Sequence, residues 1–567
     1  MTKRWQNYYS MANLSRTWTL FAFTSPRTIE KIIPEIQILL ESFDGQEWNE
    51  ETQIAFFTEL FNSEFYEGET WPNDVPLAAR DRITRAPKAL GFVNLNPQIA
   101  LTEPGEQLLS GKRIHEVIAR QLFKFQLPSP FHKIPQDRDF NVRPYLELLR
   151  LVKELGMISK TEVAIFFVQC IHYKKFDEIV KAIKKFRADG KKNERNRKAF
   201  IDDVFTDEIL KIYSKDIDAK AFKTRESPEK TLSKFVRTKK SNHIDYADAF
   251  IRYLRATQLI SFDKKTFRMI IAPARAAEVD YILNNVPREA LDFATEDDYK
   301  QYLFDPHSLL LLTDDRNYLE HHLSVLGIKY NKKDTVEQLK DRLENAEEEI
   351  ITKTIQKTEI SLKGYKEFDD IVSVFEKIKQ REVPDPPLYF EWNIWRAMVM
   401  MNYAKDVKGN FTIDLDGIPL STAAGNKPDI EVEYDDFKMI VEVTMSGGSK
   451  QYEMEGEPVA RHYGRMQLAS DVPVYCLFVA PKINENTLAH FFNLNRIKTK
   501  AYGGKTKIVP MSLPQFIEFM TIAKDKGFNH SKILKAYLDG IIATNSAAED
   551  EDIWYQHISR SIASWVA

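Results

Sequence analysis

The segment 425–444, GNKPDIEVEYDDFKMIVEVT, constrains the fold of this chain more than any other stretch. Asp429 to Tyr434 and Phe437 to Thr444 are two runs rich in residues that favour β-strands, and the polar pair between them is typical of a tight turn. We therefore predict a hairpin. Alternation along the second run places Glu442 in an otherwise apolar strand. A carboxylate in a half-buried strand is costly unless a cation or a metal neutralises it, so the hairpin predicts a charged functional site.

Further acids flank this hairpin. Asp429 opens the first run and can converge on Glu442. Upstream, FEWNIWRAMVMM has apolar residues at helical spacing, and Glu391 lies at the edge of that apolar stripe. Downstream, EMEGEPVARHY contributes Glu455 and further acids before it reaches His462. Carboxylate oxygens together with a strand carbonyl suit Mg²⁺, and surplus acids suit a second metal ion. The pattern predicts a Mg²⁺-dependent site that cuts phosphodiesters.

The order and wording of these motifs resemble the AlwI-like family of type IIS restriction endonucleases and their strand-specific nicking relatives. The matching segments are LYFEW, TAAGNKPDIEVEYDDF, VEVT and YEMEGEPVARHY. The resemblance implies a catalytic domain similar to the PD-(D/E)xK nuclease fold, with catalytic residues at Glu391, Asp429, Glu442, Glu455 and His462. Asp429, Glu442 and Glu455 would also be the metal ligands. It further implies a short asymmetric DNA site, such as GAGTC or GGATC, with cutting a few base pairs outside it.

The chain departs from the pattern of that nuclease superfamily at one position. Where the pattern has Lys, two residues after the second acid, this chain has Thr444. The usual charged activator of the attacking water is therefore missing. We expect a carboxylate such as Glu455 to substitute for it, with a second metal as one route, and Lys450 is the alternative.

The positive charge of the chain is concentrated in one block. The whole chain has a net charge of −3, but residues 71–280 carry 41 Lys and Arg against 27 Asp and Glu, an excess of 14. Neutralisation of phosphates supplies most of the non-specific affinity of a protein for DNA. The block therefore predicts a surface for double-stranded DNA.

Residues 1–138 are predicted to form a first winged-helix-like DNA-recognition subdomain. A basic helix, a short apolar hairpin and a further helix follow one another in the order of a winged helix. Arg80, Arg82, Arg85 and Lys88 would lie on the recognition helix, where arginine can pair with guanine edges or contact phosphate. An exposed helix that is merely basic fits the spacing equally well, and the family resemblance favours DNA.

Residues 139–285 repeat the order of helix and hairpin, which predicts a second winged-helix-like DNA-recognition subdomain. Positions 174–198 contain 11 basic residues. Lys192, Arg237 and Lys239 are expected to contact phosphates and not base edges, because flexible side chains carry little sequence information.

Residues 286–375 are acidic and rich in helix formers, which predicts a helical linker, with a coiled segment for self-association as the alternative. Residues 376–567 are predicted to form the PD-(D/E)xK-like nuclease domain, in which the apolar run Val474 to Ala480 is a buried central strand. The expected fold class is multidomain α+β, with N-terminal winged-helix modules, a helical linker and a C-terminal α/β nuclease domain.

Several classes of protein are excluded by the sequence. It has no run of about 18 apolar residues and no signal-like N-terminus, so we expect a cytoplasmic protein without a membrane partner. Cys170 and Cys476 are its only cysteines, which leaves no disulfide framework and no cysteine zinc site. It lacks a Gly-rich phosphate loop with Lys-Ser/Thr, so no ATP dependence is expected.

These patterns together predict a Mg²⁺-dependent, site-specific DNA endonuclease, either a restriction endonuclease or a nicking endonuclease. A DNA-binding regulator with a non-catalytic C-terminal domain and a structure-specific nuclease are the alternatives. A single catalytic constellation should cut one strand, so cutting of both strands is expected to need a transient homodimer formed through the nuclease domain.

Overall fold

The computed structural model describes residues 17–566 except positions 27, 64, 67–69, 133, 136–137, 225, 402 and 423–426. Positions 425 and 426 of the hairpin motif and the first 16 residues of the predicted first subdomain therefore lie outside the described residues. The chain divides into two compact units, Met1–Ala346 and Glu347–Ala567. This boundary falls inside the predicted linker 286–375, and the four-part division of the chain stays a prediction. None of the described helices is long and apolar enough to cross a membrane.

The first unit is mainly helical. Its described helices are α1 (Ile29–Phe43), α2 (Glu50–Asn62), α3 (Val75–Ile83), α4 (Ala86–Ala89), α5 (Glu103–Leu109), α6 (Ile114–Lys124), α7 (Pro144–Leu155), α8 (Lys160–Ile165), α9 (Phe176–Lys192), α10 (Arg197–Ile212), α11 (Ser214–Asp218), α12 (Leu232–Ala256), α13 (Ala276–Asn285), α14 (Glu296–Phe304), α15 (Arg316–Val325) and α16 (Val336–Leu362), which continues into the second unit. Its described strands are β1 (Val93–Asn94), β2 (Ala100–Leu101), β3 (Ile260–Phe262) and β4 (Met269–Ile271).

The predicted order of helix, hairpin and helix is present twice in the first unit. Helices α3 and α4 precede the antiparallel pair β1–β2, and α5 follows it. Thr102 caps α5, because its hydroxyl accepts a hydrogen bond from the Gly105 N–H at 3.2 Å and donates to the Gly91 carbonyl at 2.5 Å. Helix α12 likewise precedes the antiparallel pair β3–β4. The elements are therefore confirmed, whereas their identity as winged helices stays a prediction.

The second unit combines helices with a mixed sheet. Its further described helices are α17 (Phe368–Lys379), α18 (Pro386–Met401), α19 (Ser449–Leu468), α20 (Glu485–Leu494), α21 (Leu513–Lys526), α22 (Ser531–Ala547) and α23 (Glu551–Ile562). Its described strands are β5 (Asp406–Gly409), β6 (Thr412–Ile413), β7 (Pro419–Ser421), β8 (Ile430–Glu433), β9 (Lys438–Val443), β10 (Val474–Ala480) and β11 (Ile508–Ser512). The chain is thus a mixed α+β protein, as predicted.

Five of these strands form one sheet in the order β11-β10-β9-β8-β5. Strands β9, β10 and β11 are parallel, whereas β8 and β5 run antiparallel to their neighbours. Every residue of β10 is buried, which confirms the predicted buried strand, since a strand covered on both faces is a continuous apolar run. Helix α18 packs against β9 and β5, and α19 packs against β10. The carboxyl ends of β9 and β10 therefore meet at one edge of a covered sheet.

The two outer strands of this sheet carry features that restrict further pairing. Strand β11 contains Pro510, which lies opposite Phe478 of β10. At the other side, the main-chain carbonyl of Val407 in β5 accepts a hydrogen bond from the Trp395 indole N–H at 2.8 Å. Pro510 thus removes one main-chain donor from β11, and Trp395 occupies one main-chain acceptor of β5.

Candidate active site

The predicted hairpin is confirmed, and it places two of the predicted acids side by side. Strands β8 and β9 pair antiparallel with Ile430 opposite Val441, so the same register carries Asp429 towards Glu442. The Asp429 carboxylate accepts a hydrogen bond from the Val443 main-chain N–H at 2.7 Å. Glu442 is only 6% exposed. The end of β9 therefore holds two carboxylates in close proximity.

Helix α19 brings two more predicted site residues to the same strand end. Glu455 and His462 are seven residues apart, which is about two helical turns, so they project from the same side of the helix. His462 Nδ1 lies 2.9 Å from Glu442 Oε1, and Glu455 lies close enough for its charge to raise the pKa of Glu442. The structure thus brings together Asp429, Glu442, Glu455 and His462, and we call these four residues the acid cluster.

Burial and mutual repulsion raise the proton affinity of the acids in this cluster. Burial, and next the charge of Glu455, raises the pKa of Glu442 well above its usual range. Burial, and next the charge of Glu442, does the same to the pKa of Asp429. The pKa of Glu455 is raised by burial, while the hydrogen bond from Thr444 opposes that rise. Carboxylates crowded in this way favour a bound cation.

His462 is neutral in this environment. Its side chain is 10% exposed, and burial, assisted by the charges of Arg461 and Arg465, lowers its pKa to about 4. A neutral imidazole has one N–H and one lone pair. When Nδ1–H donates to an ionised Glu442, the lone pair lies on Nε2, which is buried and has no hydrogen-bond partner in the described part of the chain. With Glu442 ionised, Nε2 is therefore available as a proton acceptor or a ligand.

Glu391, the fifth predicted catalytic residue, lies on α18. It is 6% exposed, and α18 packs against β9, the strand that carries Glu442. Its approach to the acid cluster stays a prediction. Lys450, the predicted alternative activator, is exposed in the first turn of α19, and its role is likewise untested.

The chemistry of the acid cluster fits a divalent cation. Asp429, Glu442 and Glu455 supply the hard oxygen atoms that Mg²⁺ prefers. Burial raises the pKa of all three, and neighbouring carboxylates add to the rise for Asp429 and Glu442. In the described residues, however, no group of three or more His, Cys, Asp or Glu side chains is already arranged to hold a metal ion. The Asp429 carboxylate bonds instead to the Val443 N–H, and the Glu442 carboxylate lies against the His462 imidazole.

The arginines of the predicted recognition helix have partners within the first unit. Arg80 donates to the Gln53 side chain at 3.2 Å, and Arg82 forms an ion pair with the buried Glu35. Arg85 pairs with the aspartate one helical turn before it at 2.7 Å. Sequence spacing could not reveal the partners of Arg80 and Arg82, because these partners lie on α2 and α1. The pairing of Arg85 is local, at the i, i+4 spacing that the sequence shows. Contact between these arginines and DNA stays a prediction.

The other predicted DNA-binding residues differ in exposure. Lys88 is only 8% exposed and lies over the Phe131 ring at 4.6 Å, and burial lowers its pKa. Lys239 lies partly buried, 4.5 Å from the centre of an aromatic ring. Arg237 is exposed, and the Lys192 side chain is 76% exposed. Lys192 and Arg237 are thus the two of these four whose side chains are open to solvent.

Thr444 lies directly after β9 and is 7% exposed. The sequence predicts its orientation, since a residue two positions after Glu442 points to the same face of a strand. Its main-chain N–H donates to the Val479 carbonyl at 3.0 Å, a contact with β10 that the sequence alone does not reveal.

Comparison with known proteins gives the family. The family model for the AlwI restriction endonuclease matches residues 88–519, which is more than half of the chain. No curated protein matches the sequence significantly.

Two solved structures are also similar to parts of the chain. The small subunit (R.BspD6I2) of the heterodimeric restriction endonuclease R.BspD6I is 26% identical, with 34% of this chain and 98% of that chain covered and a TM-score of 0.30. The BpuJ1 endonuclease binding domain, solved with modified DNA, is 15% identical, with 48% and 90% covered and a TM-score of 0.28. At such TM-scores the family match alone carries the assignment. The chain belongs to the AlwI restriction endonuclease family and is a site-specific DNA endonuclease.

Proposed function

We propose that this endonuclease is a type IIS restriction or nicking enzyme, which binds a short asymmetric site in double-stranded DNA and hydrolyses a phosphodiester a few base pairs outside it. The observation that carries the proposal is the convergence of the acid cluster at the carboxyl end of β9. The residues 376–567 around it are proposed to be a PD-(D/E)xK-like nuclease domain. We propose that a different part of the chain recognises the DNA site, so that cleavage falls outside the recognised base pairs.

Asp429, Glu442 and Glu455 are proposed to hold Mg²⁺, with Glu391 as a further acid of the site. When bound, the ion would stabilise the negative charge that develops on the phosphate during hydrolysis. The protein groups orient the reaction: the Val443 N–H holds Asp429 at the strand end, and Glu442 holds the His462 imidazole through Nδ1.

The proton of the attacking water needs an acceptor, because Thr444 replaces the usual lysine. Glu455 and His462 Nε2 are the two groups of the acid cluster that can accept it. His462 is kept neutral by its low pKa, so its lone pair is free, although a base with a pKa of about 4 is weak. We propose Glu455 as the main acceptor, since it is a carboxylate of the same cluster that can take the place of the missing lysine.

The reading surface is proposed to lie in the first unit, on the two helix-and-hairpin elements. Lys181, Lys184, Lys185 and Lys192 are exposed and recur at helical spacing along α9. We call these four residues the α9 lysine stripe. It is proposed to contact DNA phosphates, and Arg237 on α12 to add to it. Base readout is proposed for the first element, which carries Arg80 to Lys88.

Cleavage of a supercoiled plasmid that carries a candidate site tests the function. Wild-type protein should cut with Mg²⁺ and not with EDTA, and run-off sequencing of the product should place every break at a fixed offset from one sequence. Scattered breaks, or cutting confined to branched DNA, would instead indicate a structure-specific nuclease.

A pair of matched variants tests the acid cluster. Glu442→Gln should abolish cleavage and leave site-specific binding intact in a gel-shift assay with Ca²⁺. Glu433→Gln, an exposed acid of the same hairpin, should cut like wild type. Cleavage by purified Glu442→Gln at a rate near that of wild type would remove the metal assignment.

A further inference from the structure

Asn410 lies directly after β5 and is the cross-strand neighbour of Asp429. Strands β5 and β8 pair with Gly409 opposite Ile430, so extending this register by one residue places Asn410 opposite Asp429. In agreement, the Asn410 main-chain N–H donates to the Asp429 carbonyl at 2.9 Å. Opposite residues of an antiparallel pair point to the same face of the sheet. The Asn410 side chain therefore lies on the face that carries the acid cluster.

The Asn410 side chain donates both of its amide hydrogens within the protein. Nδ2 lies 2.8 Å from the Pro428 carbonyl oxygen and 2.9 Å from Glu431 Oε1. A main-chain carbonyl can only accept, so the contact with Pro428 requires the NH₂ end of the amide. Together with the main-chain bond to Asp429, these contacts hold the chain before, at and after that residue. We call the three hydrogen bonds the Asn410 clamp.

Asp429 needs such support because it lies just before the start of β8. The strand begins at Ile430, and its pairing with β9 begins with Ile430 opposite Val441. On the β9 side, the Asp429 carboxylate accepts the hydrogen bond from the Val443 N–H. On the β5 side, the Asn410 clamp holds the main chain. The direction in which the Asp429 carboxylate projects therefore depends on both neighbouring strands.

We propose that Asn410 is a positioning residue, whose clamp holds Asp429 in the orientation that lets its carboxylate bind a divalent cation together with Glu442. This inference rests on the proposed function of the acid cluster. Asn410 acts through Asp429 and is not itself a metal ligand. Hydrogen bonds that orient a ligand in this way commonly contribute about 10–100-fold in metal affinity or activity.

An asparagine fits this role because of its number of donors and its lack of charge. Its amide supplies two hydrogens, whereas a serine hydroxyl supplies one and an ionised aspartate none. An aspartate would also place a further negative charge against Glu431. The test variant should therefore remove the donors without adding a charge.

The test compares Asn410→Ala with Thr412→Ala, which breaks an exposed hydrogen bond to Ser421 in the neighbouring hairpin β6–β7. Binding of Mn²⁺ to the full chain without DNA is measured by electron paramagnetic resonance, and single-turnover cleavage is measured against Mg²⁺ concentration. Asn410→Ala should weaken Mn²⁺ binding, and raise the Mg²⁺ concentration for half-maximal cleavage, by about 10–100-fold each. Thr412→Ala should match wild type in both measurements.

The dependence on Mg²⁺ separates positioning from a general loss of folded protein. Excess Mg²⁺ should restore much of the cleavage rate of Asn410→Ala, because it compensates for a weakened site. A merely destabilised protein would lose rate at every Mg²⁺ concentration, with the half-maximal concentration unchanged. That result, or a variant that behaves like wild type, would overturn the inference. Asn410→Ser, which also lacks the amide, replaces Asn410→Ala if that variant does not fold.

Two further variants test whether the clamp acts through Asp429. Glu431→Gln keeps an acceptor for Asn410 and should lose much less Mn²⁺ affinity than Asn410→Ala; an equal or larger loss would make Glu431 a ligand and overturn the inference. Asn410→Ala combined with Asp429→Asn should bind Mn²⁺ no more weakly than Asp429→Asn alone, because both changes act on the same ligand. Additive losses would likewise overturn it. Wild-type protein that cuts without divalent metal, or binds no Mn²⁺, would instead overturn the proposed function itself.

Discussion

The burial of Glu35, which its partner Arg82 offsets only in part, should make stability depend on pH, and Glu35→Gln isolates the effect. Glu35 is 1% exposed, and burial raises its pKa from 4.5 to about 7 although Arg82 lowers it. Between these two values the folded protein holds a proton that the unfolded chain has released. The free energy of unfolding therefore falls as pH rises through this window. At about 1.4 kcal/mol per pH unit, the loss is about 3 kcal/mol by pH 8.

Glutamine has the shape of protonated glutamate and cannot ionise. The stability difference between Glu35→Gln and wild type should thus be near zero at pH 4.5 and grow to about 3 kcal/mol, in favour of the variant, at pH 8. Urea unfolding followed by tryptophan fluorescence at several pH values measures it. Glu30→Gln, an exposed acid of the same helix, serves as the control and should show no such growth. A difference that is constant with pH, or a variant less stable than wild type at pH 8, would refute the argument.

Three further predictions concern DNA contact, the number of strands cut and helix packing. Lys184→Ala and Lys192→Ala should weaken binding to all DNA sequences alike, and each should lower the slope of log affinity against log salt concentration by about 1 if it contacts one phosphate. Fluorescence anisotropy with labelled DNA measures both effects. Weaker binding confined to the specific site would contradict this prediction. On a supercoiled plasmid with one site, the nicked circle should appear first in gel electrophoresis and linear product should rise more than proportionally with enzyme, whereas linear product without a nicked precursor would indicate a second active site. Gly464→Ala should lower the free energy of unfolding by about 1–3 kcal/mol, because an added Cβ would lie 2.7 Å from the Tyr502 Cα. Gly447→Ala, where the space is open, is the control. Thermal melting compares the two variants, and equal melting temperatures would contradict the prediction.

The hairpin and the central strand were predictable because local pattern and tertiary environment agree there. The apolar run Met439–Val441 of β9 and the continuous apolar run of β10 follow directly from the covering of both faces of the sheet. Glu442 stood out for the same reason, since it interrupts the apolar run of its strand. Where burial imposes an apolar run on the sequence, the sequence predicts both the strand and its exception.

Contacts that depend on the packing of distant elements were not predictable. Helix α19 contains Gly456, Pro458 and Gly464, all poor helix formers. Its local sequence therefore does not predict the helix that carries Glu455 and His462. Its packing against the sheet compensates for that low propensity. The pairing of His462 with Glu442 follows only from this packing.

Lys88 shows the same limit in the first unit. A lysine in a basic segment predicts an exposed cation, but here its ammonium group lies against the Phe131 ring and is almost completely buried. The long aliphatic stem of lysine makes such burial tolerable. Charge counts along a chain therefore locate a basic region without identifying which of its side chains face solvent.

The outer strands of the mixed sheet determine how two copies of this enzyme can meet. Pro510 has no N–H to offer a further strand, and the Val407 carbonyl is already taken by Trp395. A neighbouring chain would find an incomplete hydrogen-bonding template at either side, which also disfavours runaway edge-to-edge association. If two molecules pair in order to cut opposite strands, they are expected to join through helices and loops, and so to separate again readily once both strands are cut.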